Sequence, residues 1–146
     1  VYDSNNIFAR ILRHELPSHL IHEDEHCIVI LDIFPINPGH TLVIPKAPVE
    51  DFSELPSAVA AHVIQLGQRV AKAQKAAAKA GTLRCDGVNF LISDGPKAGQ
   101  EIPHAHLHVL PRFEGDGFGF KFGAKNRKSH TPEALSVTAQ TLKGNL

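Results

Sequence analysis

The chain has 146 residues, enough for one domain that buries about two-thirds of its unfolded surface without disulfide staples. Hydrophobic residues make up 42% and charged residues 21%, with eleven glycines and ten prolines, which is the composition of a folded domain and excludes a disordered segment. Fifteen basic residues balance fifteen acidic ones; this argues against a nucleic-acid backbone binder or a polybasic membrane adaptor and leaves room for a small phosphorylated ligand.

Residues Ile7 to Leu12 read as a short helix, with Ser4, Asn5 and Asn6 ahead of it to cap the first amides. Pro17 and Ser18 close this lead-in, and an extra strand is expected around Ser18 to His22. Cys27 to Leu31 is a continuously apolar strand. Asp32 to Gly39 supplies the turn, and His40 to Ile44 is the returning strand, ended by Pro45. The short connection makes these two an antiparallel pair.

The strongest helical signal begins at Ser53 and runs to Gly81, a plausible C-cap, with Val59, Val63, Leu66, Val70 and Ala73 or Ala77 as the apolar stripe. Lys72, Lys75 and Lys79 form a basic face near its carboxyl end, where they complement the helix dipole and face solvent. Val88 to Ile92 is the next strand, Ser93 to Gln100 a glycine-bearing loop, and Ile102 to Leu110 a further strand stopped by Pro111. From Glu114 the chain is rich in glycine (Gly115, Gly117, Gly119, Gly123) and then basic at Lys125, Arg127 and Lys128. This order gives an α+β class: an antiparallel sheet of about five strands, a long helix on one face and a short N-terminal helix. Residues 1–146 are expected to form a single domain, with a divergent tail from about 120. Cys27 and Cys85 form no CxxC pair and read as buried free thiols. No apolar leader opens the chain and no run is long enough to span a bilayer, so a cytoplasmic protein without a membrane partner is expected.

The chemistry concentrates in Pro103-His104-Ala105-His106-Leu107-His108-Val109-Leu110-Pro111-Arg112. Strand periodicity puts His104, His106 and His108 on one face and Ala105, Leu107 and Val109 on the other, against the long helix. Three imidazoles in successive slots displace the β-branched residues that normally fill them. Three readings follow. Alternate histidines can present nitrogens to a metal, with Glu101 and His40 as further ligands. A solvated histidine row is the plainest alternative. The third is phosphorus chemistry, because Gly95 and Gly99 can aim backbone amides at an anion and a neutral imidazole is a nucleophile near pH 7. Lys97 and Arg112 are nearby basic candidates, although a solvated loop charge and a strand-end charge are the plainer readings of them.

The stretch PHAHLHVLPR resembles the signature of the histidine triad family of nucleotide hydrolases and transferases. EDEHCIVILDIFPINPGHTLVIPK and SDGPKAGQEIPHAHLHVLPR are also similar to bacterial members, and the resemblance spans about Asn6 to Gly119. It implies a nucleotide phosphoramidase or dinucleoside polyphosphate hydrolase in which His106 attacks the α-phosphorus, forms a nucleotidyl-histidine and releases a purine nucleoside monophosphate. His108 would lie by the bridging oxygen, with His104 and His40 as the supporting shell. Asp32 would take the ribose hydroxyls, and Phe8, Ile30, Ile33 and Leu42 would line the base slot. Ser93, Gly99, Gln100 and Glu101 would surround the phosphates, with oriented amides around Gln100 and Glu101 holding the nonbridging oxygens. The family works as a homodimer without a catalytic metal, so no cofactor is expected. Two other functions stay open: a nucleotide-binding or protein-interaction module with residual catalysis, and a histidine-metal enzyme.

Two departures from the family pattern stand out. Many bacterial relatives bind a structural zinc through a CxxC at the first helix, a histidine after the LVIPK strand and the first triad histidine. Here the CxxC positions are Asn6 and Ala9, and Ala47-Pro48 follows Lys46, so no structural zinc is expected. In the loop, Ser93 stands where the phosphoramidase branch has Asn, and Glu101 where it has Ser or Thr; an ionised Glu101 carboxylate cannot favour a phosphate, although its backbone amide can.

Overall fold

A computed structural model describes residues 1–120, 128 and 130–146; Gly123, Lys125 and Arg127 of the expected tail lie outside the described residues. Two compact units are present, Val1–Asp116 and Gly117–Leu146. In the first, α1 (Ile7–Leu12), β1 (Leu20–Glu23), β2 (Cys27–Leu31), β3 (Thr41–Pro45), α2 (Ser57–Lys79), β4 (Gly87–Leu91) and β5 (Leu107–Arg112) follow in chain order. All neighbouring strands are antiparallel, and the sheet order is β1-β2-β3-β5-β4. The α+β class, the five strands and both helices are as the sequence predicts.

Alternation along β2 and β3 builds two cores from one sheet. Cys27, Val29 and Val43, with Leu107 and Val109 of β5, pack against Val63, Leu66 and Ala71 of α2. Ile28, Ile30, Leu42 and Ile44 point the other way and meet Phe8 of α1. Burial on both faces is why these strands read as unbroken apolar runs. Asn6 accepts the amide of Ala9 at 2.9 Å, so the expected α1 cap forms.

The long helix starts later than Ser53. Phe52–Glu54 is a 3-10 turn whose first two amides donate to the Asp94 carboxylate at 2.6 and 3.0 Å, and Pro56 then caps α2. Gly81, at φ +74°, stops it as expected. The buried stripe is Val63, Leu66, Gly67, Ala71 and Gln74, and Ala73 is exposed. Gly67 is what lets α2 lie close on the sheet, because a Cβ there would sit 2.6 Å from Leu107 Cδ2. Gln74, a polar residue in an apolar stripe, donates to the carbonyls of Gly39 and Val109 at 2.9 and 3.0 Å.

The histidine strand also differs from its expected bounds. It runs from Leu107 to Arg112, not from Ile102 to Leu110, and Pro111 lies inside it. Pairing with β3 ends at Thr41↔Val109, so the missing proline N–H breaks no β3 ladder bond, while the Pro111 carbonyl accepts from Asn37 Nδ2 at 2.8 Å. His104 and His106 therefore precede the ladder, His104 in a bend whose amide donates to the Ile102 carbonyl, and the segment is pinned where the Ala105 amide donates to the Val49 carbonyl. In the second unit, α3 (Pro132–Lys143) is capped by Thr131, whose hydroxyl accepts the Ala134 amide. The signal for it was Thr131-Pro132-Glu133: a cap, a proline at the first helical position and an acidic residue in the first turn. Among the described residues no helix is long and apolar enough to cross a membrane.

Candidate active site

The four histidines named from the sequence converge at the α1 side of the sheet. Ring centroids of His106 and His108 are 4.7 Å apart, and those of His40 and His108 are 5.1 Å apart. Phe8 stands edge-on to His106 at 5.0 Å. His40, His104 and His106 are buried, and His108 is half-buried.

Groups with only one hydrogen-bonding role fix the tautomers. A carbonyl can only accept, so His106 Nδ1, 2.7 Å from the His104 carbonyl, carries the proton and Nε2 holds the free lone pair. An amide can only donate, so His40 Nδ1, 3.2 Å from the Ile36 amide, is the acceptor and its Nε2 carries the proton. That Nε2 donates to His108 Nδ1 at 2.9 Å, which puts the His108 proton on Nε2. His104 donates from Nε2 to the Pro45 carbonyl at 2.8 Å and receives the Tyr2 hydroxyl at Nδ1. The result is one ring with an available lone pair beside one ring with an available N–H.

Burial pushes all four imidazoles below their ordinary pKa. For His106, desolvation outweighs the stabilising His104 carbonyl and the Asp32 charge. His108 falls to about 4, chiefly through desolvation and then repulsion by His106 and His40. His40 and His104 are lowered by the same desolvation, opposed in His40 by Asp32 and in His104 by the Pro45 carbonyl. At neutral pH the cluster is therefore uncharged, which keeps the His106 lone pair available.

The surrounding positions divide. Phe8, Ile30 and Leu42 share one apolar cluster with Ile28 and Ile44. Ile33 does not join it and is 67% exposed on the β2–β3 connection beside Phe34. Asp32 has one oxygen 3.5 Å from His40 Nε2 while the other accepts the Phe34 amide at 2.8 Å. In the loop after β4, Gly95 and Gly99 both adopt positive φ, +83° and +91°, as an amide-presenting turn requires. The Gln100 side chain braces this loop: it accepts the Gly95 amide at 2.6 Å and donates to the Glu50 carbonyl at 2.8 Å. Its own amide donates to the Gly95 carbonyl at 3.3 Å, and the Glu101 amide has no hydrogen-bond partner among the described residues. Ser93 is half-buried at the head of the loop and Glu101 is exposed. Arg112, at the end of β5, binds Asp116 through two nitrogens at 2.6 and 2.9 Å, and Asn89.

Sequence reasoning missed Tyr2, whose only signal was a lone tyrosine ahead of the first cap. Tyr2 also bears on the zinc of related proteins. Both ring nitrogens of His104 are committed, to Pro45 and Tyr2, and Asn6 caps α1. The residues at the zinc position of those relatives do not fit that ion.

A HIT domain model matches residues 13–115. The chain belongs to the HIT family. It is 43% identical over 117 residues to an uncharacterised HIT-like protein of Methanocaldococcus jannaschii, covering 80% of this chain and 86% of that one. The crystal structure of a HIT family protein from Bacillus anthracis superposes with a TM-score of 0.86 at 36% identity, over 100% of this chain and 99% of that one. A histidine triad nucleotide-binding protein from Candida albicans gives a TM-score of 0.82 at 26% identity, over 97% of this chain and 96% of that one. This places the chain in the HIT superfamily of nucleotidyl transferases and hydrolases, with the histidine-triad architecture intact.

Proposed function

We propose that this HIT protein cleaves a purine nucleotide at its α-phosphorus through a nucleotidyl-His106 intermediate, with a phosphoramidate or a second nucleoside polyphosphate as the leaving side. The observation that carries the reading is the Nδ1–H of His106 held on the His104 carbonyl, which leaves Nε2 neutral and free. The nucleotide-binding relative in Candida albicans supports the ligand class.

In the first step the Nε2 lone pair forms a bond to the α-phosphorus, and the bond to the bridging atom breaks with its electron pair leaving on that atom. His108 Nε2–H donates to the bridging atom as charge collects there. In the second step water attacks phosphorus, the P–N bond returns its electrons to Nε2, and one water proton passes to solvent. Phe8, Ile30 and Leu42 offer the apolar wall for the base, Asp32 the ribose acceptor, and the Glu101 amide a donor for a nonbridging oxygen. Two copies would pair through the edge of β4, which has no neighbour beyond it in the sheet order.

Adenosine phosphoramidate, diadenosine polyphosphate and a nucleotide sugar, each labelled at the α-phosphate and followed by rapid acid quench and product identification, test the reading. Release of labelled nucleoside monophosphate that His106→Ala abolishes, with binding kept, supports it. Binding without turnover would instead mark a nucleotide-binding module. Activity that disappears on chelation and returns with added metal would mark a histidine-metal enzyme.

A further inference from the structure

On the sheet face opposite the triad, a second group of polar side chains gathers between the β1–β2 turn and α2. Asp24 Oδ2 receives His62 Nε2 at 2.8 Å and His22 Nε2 at 3.3 Å, while Oδ1 accepts the amides of His26 and Cys27 at 2.9 Å. One ligand atom each from Asp24, Cys27 and His62 lie within 4.8 Å of one another. His62 and Asp24 side chains keep 30% and 27% of their exposure, whereas Cys27 is fully buried at the rim of the α2 core. The group thus has a solvent side by which an ion could enter and an apolar floor beneath it.

We propose that Asp24, Cys27 and His62 form a binding site for a divalent ion of zinc or cobalt type, with His22 beside the fourth position. The donor set is one carboxylate oxygen, one thiolate and imidazole nitrogen, the mixture a borderline ion prefers over calcium or magnesium. Its carboxylate and thiolate balance a double positive charge. Tetrahedral coordination sets ligand atoms about 3.5 Å apart, so on binding the 2.8 Å contact between Asp24 Oδ2 and His62 Nε2 opens to admit the ion, while any separation in the group near its 4.8 Å limit closes by roughly an ångström. The two backbone amides on Oδ1 already orient the carboxylate, as outer partners do for metal ligands. Binding transfers the Cys27 thiol proton to solvent and moves the His62 ring proton to Nδ1, leaving Nε2 for the ion. Burial, and after it the Asp24 charge, raise the free Cys27 thiol to about 12 against the opposing Lys46 charge, so a bound ion would have to displace its proton. Such an ion would staple the β1–β2 turn to α2 without touching the triad.

Cobalt titration of the purified full chain in a phosphine reductant tests this. The expected result is a near-ultraviolet thiolate-to-cobalt absorption band saturating at one ion per chain. The histidines of the triad, even with Asp32, contain no thiol and cannot produce it. Cys27→Ser should abolish the band and Cys85→Ala should leave it. His62→Ala, on the half-exposed helix surface, should weaken binding about tenfold to a hundredfold. No band in the native chain, a band surviving in Cys27→Ser, or unchanged affinity in folded His62→Ala overturns the proposal. None of these outcomes bears on turnover at His106, so the two readings fail separately.

Discussion

His40 Nε2 donates to His108 Nδ1 at 2.9 Å, so a residue on the entry to β3 decides which nitrogen of a β5 residue carries the proton. His40→Ala removes that decision and lets the His108 ring take either tautomer. On the proposed mechanism, kcat should fall about a hundredfold, the scale of one positioned proton donor, with little change in KM. His40→Gln, whose amide can still donate, should recover part of the loss. Steady-state kinetics on both variants checks this, and an unchanged kcat in His40→Ala would break the link.

Tyr2 makes a comparable contact with His104, two histidines earlier in the triad. Tyr2→Phe leaves the fully buried His104 ring with an unpaired Nδ1, which should cost about 1–3 kcal/mol of stability. The urea midpoint should fall accordingly. A midpoint equal to that of the native chain would mean that the hydroxyl contributes nothing there.

The parts of this molecule legible in the sequence are those governed by period and punctuation. Cys27 to Leu31 and Ile7 to Leu12 match their elements residue for residue, because Asn6 caps one and a polar turn bounds the other. The triad was legible because three imidazoles in consecutive alternate slots have no packing explanation. What escaped depends on contacts far apart in sequence. The β5 boundary differs because pairing with β3 starts only at Leu107 and with β4 only at His108, whatever the local pattern favours. Ser53 fell outside α2 because Asp94, 41 residues later, holds its amide in a tighter turn. The bracing of the loop by the Gln100 side chain, between the Gly95 amide and the Glu50 carbonyl fifty residues earlier, has no local signal either.

Gly67 offers a test of packing against propensity. Alanine in mid-helix favours the helix by roughly 1 kcal/mol over glycine. Here its methyl would stand 2.6 Å from Leu107 Cδ2 and 3.1 Å from Phe90 Cε1, inside a close-packed core. Overpacking of that kind costs about 1–3 kcal/mol, so Gly67→Ala should be neutral to destabilising and should push α2 outward. Equilibrium unfolding decides it, and a gain of about 1 kcal/mol would show that β5 yields freely.

Acid should unfold the domain through the histidines before it does so through the carboxylates. In the unfolded chain each imidazole takes up a proton near pH 6.5, but in the folded cluster desolvation delays uptake, for His108 to about 4. Between these values the unfolded state holds more protons than the folded one, so stability rises with pH. The contribution is complete above about pH 6.5 and is lost progressively as pH falls toward 4, at most on the order of 1 kcal/mol per pH unit for each ring. Asp94, lowered because backbone amides favour its charged form over the opposing effect of burial, loses its contribution only at pH values below its ordinary range. Urea midpoints measured from pH 7.5 to 4.5 should therefore decline steeply in the native chain and less steeply in His108→Asn, which has no ring to protonate. Equal slopes in the two proteins would show that His108 titrates alike in the folded and unfolded chain, and the lowering ascribed to its burial would be lost with it.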